Sequence, residues 1–152
     1  MITIAPFPAP EISRAVIQAM HDQIARAVTF YVVESVSGCY LCSLDPITGT
    51  STDSFCTLCS GEYWIPTYSG VTYSGKVTWG TSEEKEWMTG GLVDNGDCLV
   101  TILHTPAAEQ VVFDSEYVRV DGRELDVDKI TLRGVPEVNR ILVKLKEKER
   151  EE

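Results

Sequence analysis

Cys39-Tyr40-Leu41-Cys42 and Cys56-Thr57-Leu58-Cys59 are two matched C-x2-C pairs with thirteen residues between them. Each pair can turn two thiolates toward a common centre, so the quartet reads as two knuckles closing on one tetrahedral ion. Zinc is the expected metal, with Cys39, Cys42, Cys56 and Cys59 as its ligands. Four thiolates fill the coordination sphere, which makes the expected role structural, because a catalytic zinc keeps one position open. An iron-sulfur cluster takes the same four thiolates and stays open as an alternative. Two disulfides are the other alternative. They need an oxidising compartment, and Met1 to Pro10 has no charged start and carries three prolines, unlike a secretory leader. A redox C-x-x-C site would want a single pair beside a βαβ pattern.

The residues around the knuckles support an ion. Gly38 precedes the first and Gly61 follows the second, which suits a backbone that turns tightly so that amides approach the sulfurs. Leu44 to Ser54 is a turn-rich stretch of Thr, Ser, Gly, Asp and Pro with almost nothing to bury. Structural zinc contributes roughly 10–16 kcal/mol of apparent binding free energy in finger peptides, enough to fold such a loop. The fifth cysteine, Cys98, opens the apolar run Cys98-Leu99-Val100 and reads as a small buried hydrophobe.

Nothing else in the chain points to catalysis. His21, beside Asp22, reads as a surface side chain, and His104 as a satisfied histidine at a strand end before Thr105-Pro106. No Gly-rich phosphate loop, Ser/His/Asp order or paired-carboxylate motif is present, so no catalytic residue is assigned and the protein is expected not to be an enzyme.

With 152 residues and 43% hydrophobic content, the chain suits one domain, 1–152, with an excursion. No apolar run approaches the roughly 20 residues of a membrane helix, so the protein is expected to be soluble and intracellular, with no membrane partner. The formal net charge is -10, from 23 acids and 13 bases. Between Arg26 and Lys76 there is no Lys or Arg, while Glu34, Asp45, Asp53 and Glu62 are acidic. Tight generic binding to phosphate backbones is disfavoured, because Lys and Arg supply most of that affinity.

The positioning elements follow from periodicity. Ile12, Val16, Ile17, Met20, Ile24 and Val28 mark one face of an amphipathic helix over 10–28, with Pro10 and Glu11 suited to its first turn. Such a helix can pack on its own barrel or on a neighbouring subunit. Phe30-Tyr31-Val32-Val33 then begins a strand that enters the four-Cys insertion, 36–62. Tyr63 to Pro66, Val71 to Tyr73 and Lys76 to Trp79 read as separate short strands broken at Pro66 and Gly70. Gly80 to Gly90 is a charged segment in which Trp87 either folds back onto the body or forms an arm that orders on a neighbour. Another strand runs from Cys98 to His104.

Asp121-Gly122 signals a two-residue hairpin turn with positive φ at both positions. Counting outward pairs Val118 with Leu125 and Arg119 with Glu124, one apolar pair and one of opposite charge. Lys129 to Arg133 continues the meander, Gly134-Val135-Pro136 breaks it, and Ile141, Val143 and Leu145 alternate with Lys144 and Lys146 in a closing strand; a frayed tail is expected from Glu147. The pattern predicts a mainly β fold: a small antiparallel β-barrel or sandwich with an N-terminal α-helix and a four-Cys, zinc-ribbon-like insertion.

The order of a strand, Gly96 to Ile102, Val111 to Asp114, the Tyr117 to Val127 hairpin, the break after Arg133-Gly134 and a Lys-rich last strand resembles the head-closure (stopper, or head-tail connector) proteins of tailed bacteriophages. The resemblance covers roughly Lys76 to Lys146, and its motifs are a pattern of strand and turn. The Cys39 to Cys59 loop is similar to an insertion seen in some phage neck proteins. The resemblance implies a small barrel that assembles with itself into a ring, in the neck of a virion put together in the host cytoplasm. Its other implied partners are the portal or adaptor and tail-completion proteins, and DNA passing through without sequence-specific binding. The competing expectation is a zinc-ribbon module for a protein or nucleic acid, with Tyr40, Phe55, Tyr63 and Trp64 as stacking surfaces.

Overall fold

The computed structural model describes residues 10–80, 86–88, 91–93, 97–134 and 137–147. Six antiparallel strands close into a barrel in the order β1-β2-β5-β8-β7-β6. These are β1 (Arg26–Gly38), β2 (Trp64–Trp79), β5 (Cys98–Leu103), β6 (Ser115–Val120), β7 (Arg123–Arg133) and β8 (Arg140–Glu147). A helix α1 (Pro10–Ile24) precedes the barrel, a short pair β3 (Glu86–Met88) and β4 (Gly91–Val93) lies in the β2–β5 connection, and α2 (Pro106–Asp114) joins β5 to β6.

Alternation builds the core. Val28 and Phe30 of β1 lie opposite Val120 and Val118 of β6, Val118 lies opposite Leu125 of β7, and Cys98, Val100 and Ile102 of β5 lie opposite Leu145, Val143 and Ile141 of β8. All of these side chains are buried and form one cluster. The barrel closes here because the apolar residues recur at period two, re-phased in β7 by the irregularity between Val127 and Lys129, and the registers stack them. Gly75 leaves the space this demands: a Cβ there would sit 3.0–3.2 Å from side chains of Val100, Ile102 and Val28, which belong to two other strands. The β6–β7 hairpin has the expected register, with Asp121 at φ 48 and Gly122 at φ 80, and Arg119 Nη2 donating to Glu124 Oε1 at 2.6 Å.

Several expectations are corrected. The helix ends at Ile24 rather than 28, because Arg26 already pairs with Gly75 and Val28 belongs to the barrel core. His21 is buried rather than on the surface, and its Nε2 meets the Ser74 carbonyl at 2.7 Å, fixing α1 against β2. The three short strands expected between Tyr63 and Trp79 are one 16-residue strand. Gly70 does not break it, because the Tyr31 ring and Thr29 methyl lie where its Cβ would point. Pro66 is tolerated because β2 pairs with β5 only over Gly75 to Trp79, so at Pro66 its sole strand neighbour among the described residues is β1. No element was expected for Val111 to Asp114, which lies in a helix started by Pro106 and by Thr105, whose hydroxyl accepts from the Ala108 amide at 3.1 Å. Within Gly80 to Gly90, Glu86 to Met88 form β3; the placement of the Trp87 side chain lies outside the described residues, as does the tail beyond Glu147.

One consequence of the topology positions the site. β6 pairs with β1 only over Val28 to Val32, and β5 leaves β2 before Gly75, so Ser35–Gly38 and Trp64–Thr67 continue past the barrel paired only with each other. They form a two-stranded arm. The four cysteines are at its end.

Candidate metal centre

All four cysteine sulfurs of the arm lie within 4.8 Å of one another. Cys39 and Cys56 Sγ are 3.8 Å apart, and Cys42 and Cys59 Sγ 3.4 Å. Four sulfurs about 2.3 Å from a central ion span a tetrahedron with edges of about 3.8 Å. A disulfide needs about 2.05 Å. All four are free thiols, gathered by spacing that fits an ion.

Local backbone explains the gathering. The Cys39 amide donates to the Tyr63 carbonyl at 2.8 Å, continuing the β1–β2 ladder so that the first knuckle starts where the second ends. Between the knuckles, Leu44 and Ser51 bridge, Thr52 N donates to Ser43 O, and the Ser51 amide donates to the Gly61 carbonyl, making a small hairpin folded back on the second knuckle. Ser60, Gly61 and Tyr63 all have positive φ, 49, 88 and 70, which turns the chain after Cys59 so that the Gly61 and Tyr63 amides reach its sulfur. Gly61 therefore acts as expected. Gly38 has another reason: a Cβ would sit 2.8 Å from the Tyr63 hydroxyl and about 3.0 Å from its ring.

Charge within the quartet is unequally shared. Burial opposes ionisation of Cys59, but hydrogen bonds from Cys42 and from the Tyr63 and Gly61 amides outweigh it and bring the thiol from near 9 down to about 6. The Ser51 hydroxyl favours a thiolate at Cys42, but burial and the three neighbouring sulfurs together push it up to about 12. The two thiols therefore differ in how readily they ionise, and an ion held by all four sulfurs would displace the remaining protons. Ser51 carries no signal in the sequence, where neither spacing nor type distinguishes it from the surrounding turn, and Tyr63, expected as a stacking surface, instead offers its backbone amide to a sulfur.

These sulfurs are also the module's core. Cys39, Cys56 and Cys59, with Cys42, Tyr63 and Ile65 against them, form a buried cluster separate from that of the barrel. With so little carbon to bury, an ion is the natural cohesive element. Its ligands must be deprotonated, so the direction of pH dependence is fixed. The depressed Cys59 thiol contributes stability that is full above about 9 and is lost as pH falls through about 6, while the raised Cys42 thiol contributes stability that is lost only as pH rises toward about 12; an ion held by the thiolates would be released in the same direction as the Cys59 loss. Metal transfer to a chromophoric chelator is therefore expected to be slow and incomplete at pH 8 and rapid and complete at pH 5, and equal release at both would contradict thiolate ligation.

The other candidate groups lie elsewhere. Cys98 is fully buried in the barrel core, and burial pushes its thiol up to about 12, so it is inert packing. His104 Nε2 meets Glu109 Oε2 at 2.6 Å across the start of α2. Among the described residues, the four sulfurs are the one group of His, Cys, Asp or Glu close enough together to hold an ion. Among the described residues no helix is long and apolar enough to cross a membrane. Comparison with family models, curated proteins and solved structures finds no match to this chain.

Proposed function

We propose that the protein is a structural component of a tailed-phage neck, a ring of barrels between portal or adaptor and tail that helps retain packaged DNA. Zinc is its structural metal, held by Cys39, Cys42, Cys56 and Cys59. The observation that carries this reading is the arm: a closed barrel extends two strands that hold out a sulfur-cored tip. A device of that kind makes contacts. Four thiolates leave no open coordination position, and His21 and His104 are both engaged in hydrogen bonds within the fold. The net charge of -10 and the absence of bases between Arg26 and Lys76 suit a surface that DNA passes without adhering.

A zinc-ribbon binding module is the second reading, favoured by Tyr40 and Phe55, which are 82% and 92% exposed. Stacking without neighbouring cations supplies only part of the affinity a nucleic acid needs. Sedimentation of the zinc-loaded protein, with duplex and single-stranded DNA titrated at low salt, separates the two. A ring-sized oligomer with no DNA binding is the expected result; a monomer showing salt-sensitive micromolar binding would replace the neck reading with the module.

A further inference from the structure

Exposed apolar side chains on this protein are not scattered. Of those that are large and exposed among the described residues, eight lie between Val36 and Trp64 on the arm and its tip, three (Val16, Met20 and Ile24) on α1, and only Phe113 and Leu132 elsewhere. Concentrated apolar surface marks a docking site. Ile47 and Phe55 are the most prominent, each 92% exposed, and each is held out in the same way. Asp45 accepts the Ile47 amide at 2.8 Å and Asp53 accepts the Phe55 amide at 3.0 Å. These Asx turns fix the backbone of the two anchors in advance of any partner and set a carboxylate beside each.

Among the described residues, the grooves beside α2 and beside α1 could each receive such an anchor. One, of about 350 Å³, lies between α2 and the base of the arm; Val33 and Val111 line it, but so do Glu34 and Asp114, which would oppose the acidic tip. The other, of about 160 Å³, lies between α1 and the barrel, lined by Ile17, Met20, Ile24 and Leu103 with the cations Lys76 and Arg140. An apolar cavity of about 150 Å³ takes one benzene ring, the size of the Phe55 side chain. Charge and volume select the second groove.

We infer that the tip of one copy docks in the α1–barrel groove of a second copy, Phe55 entering between Met20 and Ile24 with Asp53 and Asp45 facing Lys76 and Arg140. A chain cannot do this to itself, because the tip leaves β2 at Trp64 and the groove meets it at Lys76, about 40 Å of strand away at roughly 3.3 Å per residue. Tip-to-tip pairing would oppose like charges. The contact is therefore heterologous, the kind that closes into a ring when its rotation allows. This inference rests on the neck reading and specifies which surfaces its ring would use.

The test uses the zinc-loaded full chain in analytical ultracentrifugation. Phe55→Asp and Met20→Asp change residues that are 92% and 64% exposed, so both variants keep the fold, which circular dichroism verifies. Each alone is expected to associate at least about tenfold more weakly than the wild type. Mixed in equal amounts, they are expected to form a dimer and nothing larger, since one intact tip and one intact groove remain. Wild-type-like assembly of Phe55→Asp, or a mixture that stays monomeric, would overturn the docking while leaving a ring intact. A wild type that never assembles would overturn the neck reading itself.

Discussion

Replacing Cys42 by Ser is expected to dissolve the tip and spare the barrel. The tip has its own buried cluster of sulfurs, Tyr63 and Ile65, and it shares no buried residue with the barrel core. Removing one of four thiolates takes away much of the roughly 10–16 kcal/mol of apparent binding free energy that a structural zinc supplies. Apart from its own hairpin hydrogen bonds, little apolar burial holds Ser43 to Ser54, where Ser51 is the one buried residue. Hydrogen exchange is therefore expected to lose protection from Cys39 to Tyr63, while the amides of β5, β6 and β8 keep theirs. A strong chelator acting on the wild type should reproduce the pattern. Collapse of protection across the whole chain would place the tip inside the cooperative unit of the barrel, against the separation of the two cores.

Phe30→Ala is expected to have the converse effect. Phe30 is fully buried, opposite Val118 of β6 and edge-to-face with Tyr73 at 6.1 Å between ring centroids. Truncating a buried Phe costs about 3–5 kcal/mol, through lost transfer free energy and the cavity left behind. Against a typical domain stability of about 5–15 kcal/mol, the barrel becomes marginal. Urea unfolding followed by far-ultraviolet circular dichroism should show the midpoint falling with little change in slope. A loss below about 1 kcal/mol would mean that the barrel interior collapses freely around the missing ring, unlike a closed sheet with fixed register.

Legibility in the sequence followed how local each determinant is. The Asp121-Gly122 hairpin could be counted out because a two-residue turn fixes register by itself, and the pairs it implied, Val118 with Leu125 and Arg119 with Glu124, are those observed. The gathering of the cysteines was readable because C-x2-C fixes the local geometry of each half. What could not be read depends on partners far away in the chain. Gly70 and Pro66 look like breaks in β2, yet one lies beneath Tyr31 and the other on an open edge, and neither fact is present in the neighbouring residues. His21 reads as a surface residue until Ser74 arrives to accept it. The short helix α2 was overlooked although its start signal, Thr105-Pro106, stands in the sequence, because the β-branched Val111-Val112 that follows also suits a strand.

X-ray absorption at the metal edge, on protein purified under reducing conditions and quantified by elemental analysis, tests the organisation of the tip most directly. One zinc per chain is expected, surrounded by four sulfurs at about 2.3 Å, a shell reduced to three sulfurs or lost in Cys42→Ser. Metal-free protein with Cys39, Cys42, Cys56 and Cys59 in disulfides, or a zinc shell dominated by nitrogen and oxygen, would contradict it.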